Sequence, residues 1–303
     1  MAAGGARVGT MLELTNRVEE LRQTGLAKVR EGALEEALGH YDEALALVDD
    51  DTARELITIN KADALIALER NAPEVQELAR VIMRRRNPRH VYLAAYALQY
   101  KHRLENNLKR ALFYGELALR TAEEAGEPLW RRVVLLELGN VYEIDSQMER
   151  AIECFEQALG MTAESAENRD EDISHAYALE NLGYCRLMQG NLDVGIATIH
   201  EALELLKDPV GLAEAYIDLC YGYLEKGDIE NAHHYGNEGL KVANDARHVR
   251  NAHYLLGEVA YTAGDNDAAE FHFNELSRFY PEFTNLKSLL FAIDLRSMVN
   301  LKL

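Results

Sequence analysis

His233 and His234 stand side by side, and His248, His253 and His272 follow further along the chain. Imidazoles gathered in this way could hold zinc, which takes nitrogen ligands in tetrahedral array. The pattern is helical, however, and adjacent helical residues point about 100° apart, so the pair cannot readily share one ion. A metal is not expected. Cys154, Cys185 and Cys220 are an odd number without metal-ligand spacing, and each falls in a helical pattern, which makes them buried free thiols. Glycine-rich phosphate loops, nucleophile elbows and calcium loops do not occur. No catalytic residue or cofactor is therefore expected, and an enzyme with catalytic groups scattered through the fold stands only as an open alternative.

The elements that carry these residues follow from composition. The 303 residues include only 5 prolines and 20 glycines, with abundant Ala, Leu and Glu, so long helices are favoured over strands. A net charge of −19, from 51 acidic against 32 basic residues, opposes binding to a nucleic-acid backbone or an acidic membrane surface. Neither a leader-like apolar core near residue 1 nor a run of about 18 apolar residues occurs, so a cytoplasmic protein is expected. The cationic run IMRRRNPRH at 82–90 is assigned to the carboxyl end of a helix, where positive charge is favourable. An anionic partner on Arg84, Arg85, Arg86 and Arg89 is the alternative.

Self-similarity organises the rest. The stretch LLELGNVYEIDSQMERAIECFEQALG, residues 135–160, has counterparts around Gly25, Gly183 and Gly257, and Ala62, Gln99 and Cys220 take the same place between them. Successive landmarks at 25, 62, 99, 139, 183, 220 and 257 are spaced by 37, 37, 40, 44, 37 and 37 residues. Each of the seven units resembles a tetratricopeptide repeat, in which small residues recur near the eighth, twentieth and twenty-seventh positions. The twentieth is Ala37, Ala111, Ala151, Gly195, Ala232 or Ala269, with Glu74 departing in the second unit. The twenty-seventh is Ala44, Ala118, Ala158, Ala202 or Gly239, with Val81 and Leu276 departing. At the twenty-fourth stand Tyr41, Phe155, Ile199 and Phe273, but Gly115 and Gly236 in two units.

The resemblance implies an all-α, right-handed superhelical solenoid of about seven helix hairpins over residues 11–283. Residues 1–10 are expected as a disordered tail and 284–303 as a capping helix bearing Leu286, Leu289, Leu290, Phe291, Ile293, Leu295, Met298 and Val299. A homodimer contact through 284–303 is the alternative use of those side chains. Lengthened units place extra chain chiefly at MTAESAENRDEDISH, and Gly190-Asn191, Gly227-Asp228 and Gly264-Asp265 are expected as helix stops followed by caps. Pro73 suits the first turn of a helix.

The resemblance also implies a concave face lined by the first helix of each unit. Read onto this chain, that face carries Tyr96, Tyr100, Tyr177, Tyr184, Tyr221, Tyr254 and Tyr261 with Leu136, Ile217 and Leu224. Tyrosine offers a large contact area at low entropic cost, which suits peptide recognition, although packing between neighbouring helices is an equal use. Asn140 and Asn181 occupy places like those of the family's carboxylate clamp, but Leu136, Glu214 and Asp218 replace its basic residues, so an acidic chain end is not the expected ligand. Glu137, Glu143, Glu180, Glu214, Asp218, Glu225 and Glu258 instead favour a basic partner. The expected function is a non-catalytic scaffold binding an extended protein segment, basic or aromatic. The alternative is a regulator of a bacterial signalling pathway that senses a peptide or small ligand.

Two helices approach to an axial separation of about 8–10 Å only where Gly or Ala marks the crossing. Replacing Ala151 or Ala158 by Leu is expected to cost about 1–3 kcal/mol through overpacking, measured by chemical denaturation. Unchanged stability in both variants would displace the assigned register.

Overall fold

The computed structural model describes residues 2–161, 169–296 and 299–302, with side chains at 13–161, 174–296 and 299–302. Among the described residues there are fifteen helices and no strand. The chain forms two compact units, up to Val134 and from Leu135 onward. The first holds α1 (Ala2–Arg30), α2 (Leu34–Leu47), α3 (Asp51–Ala67), α4 (Pro73–Arg84), α5 (Pro88–Leu104), α6 (Leu108–Ala125) and the start of α7 (Pro128–Ile144). The second holds the rest of α7, then α8 (Met148–Leu159), α9 (Arg169–Met188), α10 (Leu192–Leu205), α11 (Pro209–Lys226), α12 (Ile229–Val242), α13 (Ala246–Thr262), α14 (Asn266–Ser277) and the short α15 (Leu286–Ala292). The first fourteen helices are seven successive hairpins, and their landmarks are the seven identified from spacing.

What closes each hairpin is a size match between the eighth and twenty-fourth positions. A methyl group added at Gly139 would stand 2.5 Å from Phe155 Cε1, and one at Gly183 would stand 2.5 Å from Ile199 Cγ1. Gly25 and Gly257 are pressed as closely by the rings of Tyr41 and Phe273. Tyr41, Phe155, Ile199 and Phe273 are all fully buried. In the sixth hairpin the roles are exchanged: Cys220 is the larger residue, and a methyl group at Gly236 would meet its Sγ at 3.0 Å. In the third hairpin Gln99 and Gly115 hold the two places, and both are buried. Gly236 therefore keeps the rule it was expected to break, because the summed volume at the crossing is what matters. Around these pairs Ala37, Ala111, Ala151, Ala232 and Ala269, and then Ala44, Ala118, Ala158 and Ala202, have no exposed surface. Glu74, the odd residue of the second unit, lies at the rim and accepts from Lys61 Nζ at 2.6 Å.

Turns follow their residue types. Gly190, Gly227 and Gly264 adopt φ of +79°, +78° and +80°, the left-handed stop that a side chain would strain. Asp228 and Asp265 cap the following helices by accepting from Asn231 N and Ala268 N. Asn191 holds the equivalent place without a side-chain cap bond. Pro73 begins α4, and Arg84 lies in its last turn, paired with Glu77 at 2.8 Å.

Both ends depart from expectation. Helical structure begins at Ala2, where a tail was expected over 1–10. The capping helix expected over 284–303 is helical only at Leu286–Ala292. Beyond it Asp294 Oδ1 accepts from Arg296 N at 3.0 Å, a local side-chain bond of the kind that competes with helical pairing, and the described residues 293–296 and 299–302 are not helical. Leu290 is buried, whereas Leu289 and Ile293 are exposed. Met298 and residues 162–168 of the long linker lie outside the described residues.

Alanine ordinarily stabilises a helix interior relative to glycine by about 1 kcal/mol. Gly39→Ala, with open space at its Cβ position, is expected to follow that rule, while Gly257→Ala reverses it and lowers the melting temperature. Equal shifts of the same sign by differential scanning calorimetry would contradict the size match.

Candidate functional site

The first helices of the last three hairpins, α9, α11 and α13, pack against one another in sequence. Residues three or four apart share a helical face. Tyr177, Glu180, Asn181 and Tyr184 on α9 therefore form one stripe, Glu214, Ile217, Asp218 and Tyr221 on α11 a second, and Arg247, Asn251, Tyr254, Glu258 and Tyr261 on α13 a third. Ile217, Asp218, Tyr184, Tyr221, Tyr254 and Glu258 are buried, as is Glu180.

The cover is the chain's own terminal segment. Lys302 Nζ lies 2.9 Å from Glu180 Oε1, 3.1 Å from Glu214 Oε1 and 2.9 Å from Asp218 Oδ2, and its side chain is 4 % exposed. The same ammonium sits 4.8 Å from the centroid of the Tyr184 ring, within cation–π range. Leu301 is buried; its N–H donates to Tyr184 Oη at 3.1 Å, and its carbonyl accepts from Asn251 Nδ2 at 2.6 Å. Asn300 Nδ2 donates to the carbonyl of Glu143, at 3.2 Å, in the last turn of α7. Further out, Arg296 pairs with Glu225 at 3.3 Å and approaches Glu258 at 3.9 Å.

Four carboxyls, Glu143, Glu180, Glu214 and Asp218, thus meet two cations, Lys302 and Arg247. Burial pushes Glu143 up to about 8 and Glu180 well above the ordinary carboxylate range, against the attraction of Lys302. Burial also opposes ionisation of Glu214, but Lys302 and Arg247, the latter at 3.0 Å, outweigh it and hold its carboxyl below the usual range. The acids surrounding Lys302 outweigh its own desolvation and keep it charged. The result is an enclosed place for an ammonium group: three carboxyl groups in contact and one aromatic face.

Other anticipated residues are placed differently. Asn181 Nδ2 donates to Asn140 Oδ1 at 3.0 Å, so the two amides bridge α9 and α7. With Leu136, Glu137, Ser174 and Tyr177 they line a cleft of about 240 Å³. Tyr177 Oη donates to Asp208, the cap of α11, at 2.8 Å, which is a structural use. Tyr261 is exposed and its ring meets Phe291 edge to face. Tyr96 and Tyr100 belong to the first unit, where Tyr96 stacks on Tyr92 and Arg103 lies over Tyr100. His253 and His272 form a hydrogen-bonded pair at 3.0 Å, His248 approaches Asp245 at 2.6 Å, and among the described residues no three such groups converge on a metal position. All three cysteines are buried thiols. Sequence reasoning missed Arg247, Asn251, Asn300, Leu301 and Lys302. The available signal was charge complementarity, since Arg296 and Lys302 follow an acidic array.

Residues 134–165 match the family model described as Tetratricopeptide repeat. Among solved structures, the apo form of the quorum sensor NprR from B. thuringiensis superposes with a TM-score of 0.73 at 15% identity, covering 93% of this chain and 81% of that one. The apo form of RapI gives 0.69 at 13% identity, with 94% and 85% covered. A signal-transduction ATPase with a tetratricopeptide repeat sensor, from Pyrococcus horikoshii, gives 0.67 at 15%, with 92% of this chain and 45% of that chain covered. Comparison with curated protein sequences gave no match. The helical-hairpin fold is shared with these structures, the family model itself matching a single stretch, and no described helix is long and apolar enough to cross a membrane.

Glu258, raised to about 7 chiefly by burial, joins Glu143 in binding protons more tightly in the folded than in the unfolded chain, where glutamate titrates near 4.5. Their stabilising effect is complete below that value and lost as pH rises through 7 and 8. His272, held near 4 mainly by burial, acts in the opposite sense but only below its unfolded value of 6.5. Stability should therefore fall between pH 6.5 and 8.5, and Glu143→Gln should flatten that fall; parallel denaturation midpoints for both proteins across this range would contradict the assignment.

Proposed function

We propose that this chain is a non-catalytic interaction scaffold whose second unit takes a basic segment of another protein along α9, α11 and α13. The observation that carries the reading is the enclosure of Lys302 by Glu180, Glu214 and Asp218. Buried ion pairs add little to stability relative to well-packed apolar side chains, because desolvation offsets much of the attraction. Their use here is selective: an ammonium group fits, and an acidic or neutral residue leaves carboxylates without a counter-charge. One side-chain amide and a phenol that bond to the backbone of residue 301 provide the second requirement of peptide recognition, a hold on main chain that is indifferent to the ligand's sequence. The tyrosines supply broad contact area beneath.

A second reading, in which a small peptide in the same groove regulates the protein, is favoured by the fold shared with a quorum sensor. Both readings assign the ligand to the acidic face.

Fluorescein-labelled octalysine is expected to bind the full chain, and octaglutamate is not. Raising salt from about 50 to 500 mM should weaken octalysine by about tenfold or more, since part of the attraction is screened. The double variant Glu214→Lys, Asp218→Lys should abolish it. Fluorescence anisotropy that is indifferent to salt and to these substitutions would exclude the acidic groove as the site.

A further inference from the structure

We propose that Asn300-Leu301-Lys302 is an internal stand-in for the partner's recognition motif, so that the groove takes an asparagine–aliphatic–lysine segment from its partner only when this tail has left. The inference rests on the groove reading above and names its ligand. Each of the three residues meets a different chemical demand. Lys302 fills the three-carboxylate pocket under the Tyr184 ring. Leu301 is buried while both of its backbone groups are bonded by side chains of α9 and α13. Asn300 donates to the carbonyl of Glu143 in the last turn of α7, which also accepts from Ser146 N, and accepts from Tyr184 Oη at 3.3 Å.

The attachment of this tail is that of a ligand more than of a core element. It is not helical, and its hold is polar, through side chain to backbone bonds at Asn300 and Leu301 and ion pairs at Lys302. A cavity of about 250 Å³ remains beside it, lined in part by Tyr254, Leu290, Leu295 and Val299. Ile293 and Asp294, which lead into it, are exposed. The α15 helix is anchored separately, by buried Leu290 and by Phe291 against Phe273, so residues 293–302 can leave while α15 stays. A tethered occupant competes at an effective concentration of about millimolar, and it lowers a partner's apparent affinity by the fraction of time it is bound.

The test uses a labelled peptide, acetyl-Val-Asn-Leu-Lys-Leu-amide, with the full chain and its Lys302→Glu variant, in which the tail is repelled by the acids that hold it. The peptide should bind the variant at least about tenfold more tightly than the wild type, and replacing its lysine by norleucine should abolish binding to both. Leu301→Ser provides a milder release and is expected to give a smaller tightening in the same direction; it decides the matter if circular dichroism shows the Lys302→Glu chain unfolded. Equal affinity for wild type and for both released variants would overturn the proposal. If the norleucine peptide binds as well as the lysine peptide while octalysine still depends on Glu214 and Asp218, the motif is wrong and the acidic groove survives; loss of octalysine binding as well would remove both. A wild-type dimer by light scattering, dissociated by Lys302→Glu, would make the occupant a second copy's tail and would equally overturn an internal stand-in.

Discussion

Backbone proximity within each hairpin is the constraint on which the remaining structure depends. Gly139 against Phe155 and Gly257 against Phe273 leave no room for a methyl group, and Cys220 against Gly236 meets the same limit with the residues exchanged. A crossing held to this tolerance fixes the rotation of each helix about its own axis. Every side chain three or four residues away then has its direction decided as well. The direction of the acidic side chains on α9, α11 and α13 is thus a consequence of how the same helices pack.

That rotation explains why so many acids end up together. Glu180 lies three residues before Gly183, and Asp218 two before Cys220, so once the crossing is set, both are committed to the face shared by α9 and α11. Like charges brought this close are unfavourable unless protonated or neutralised. The second unit shows both remedies: burial favours the protonated form of Glu143, and Lys302 with Arg247 offsets Glu214. An acidic face of this kind is incomplete without a cation, which connects the packing of the repeats to the enclosure of Lys302.

Fold and site were unequally legible. The repeat boundaries, the turn glycines, Pro73 and the buried alanines were readable because each depends on contacts within about forty residues that recur seven times. The meaning of Gly236 was not, since it looked like a loss at its own position and only the pairing with Cys220 shows compensation. Glu180, Glu214 and Asp218 were identified as an acidic face, and Tyr184, Tyr221 and Tyr254 as its aromatic lining. Tyr177 was assigned to recognition, yet its hydroxyl serves the cap of α11. The clamp-like asparagines bond to each other, an arrangement that depends on the spacing of two helices and not on either residue's identity.

By itself the sequence determined the helical hairpin, its period and the sign of the charge on one face, because these are set by residue size and by helical periodicity, both local properties. Tertiary structure alone decided what covers that face. Lys302 reaches Glu180 across 122 residues of chain. The apolar residues near it suggested a longer capping helix, but the bonds available from Tyr184, Asn251 and the end of α7 hold the segment in another form. A contact of that range leaves no periodic trace in the sequence, since it exists only after the hairpins have already fixed where each carboxylate points.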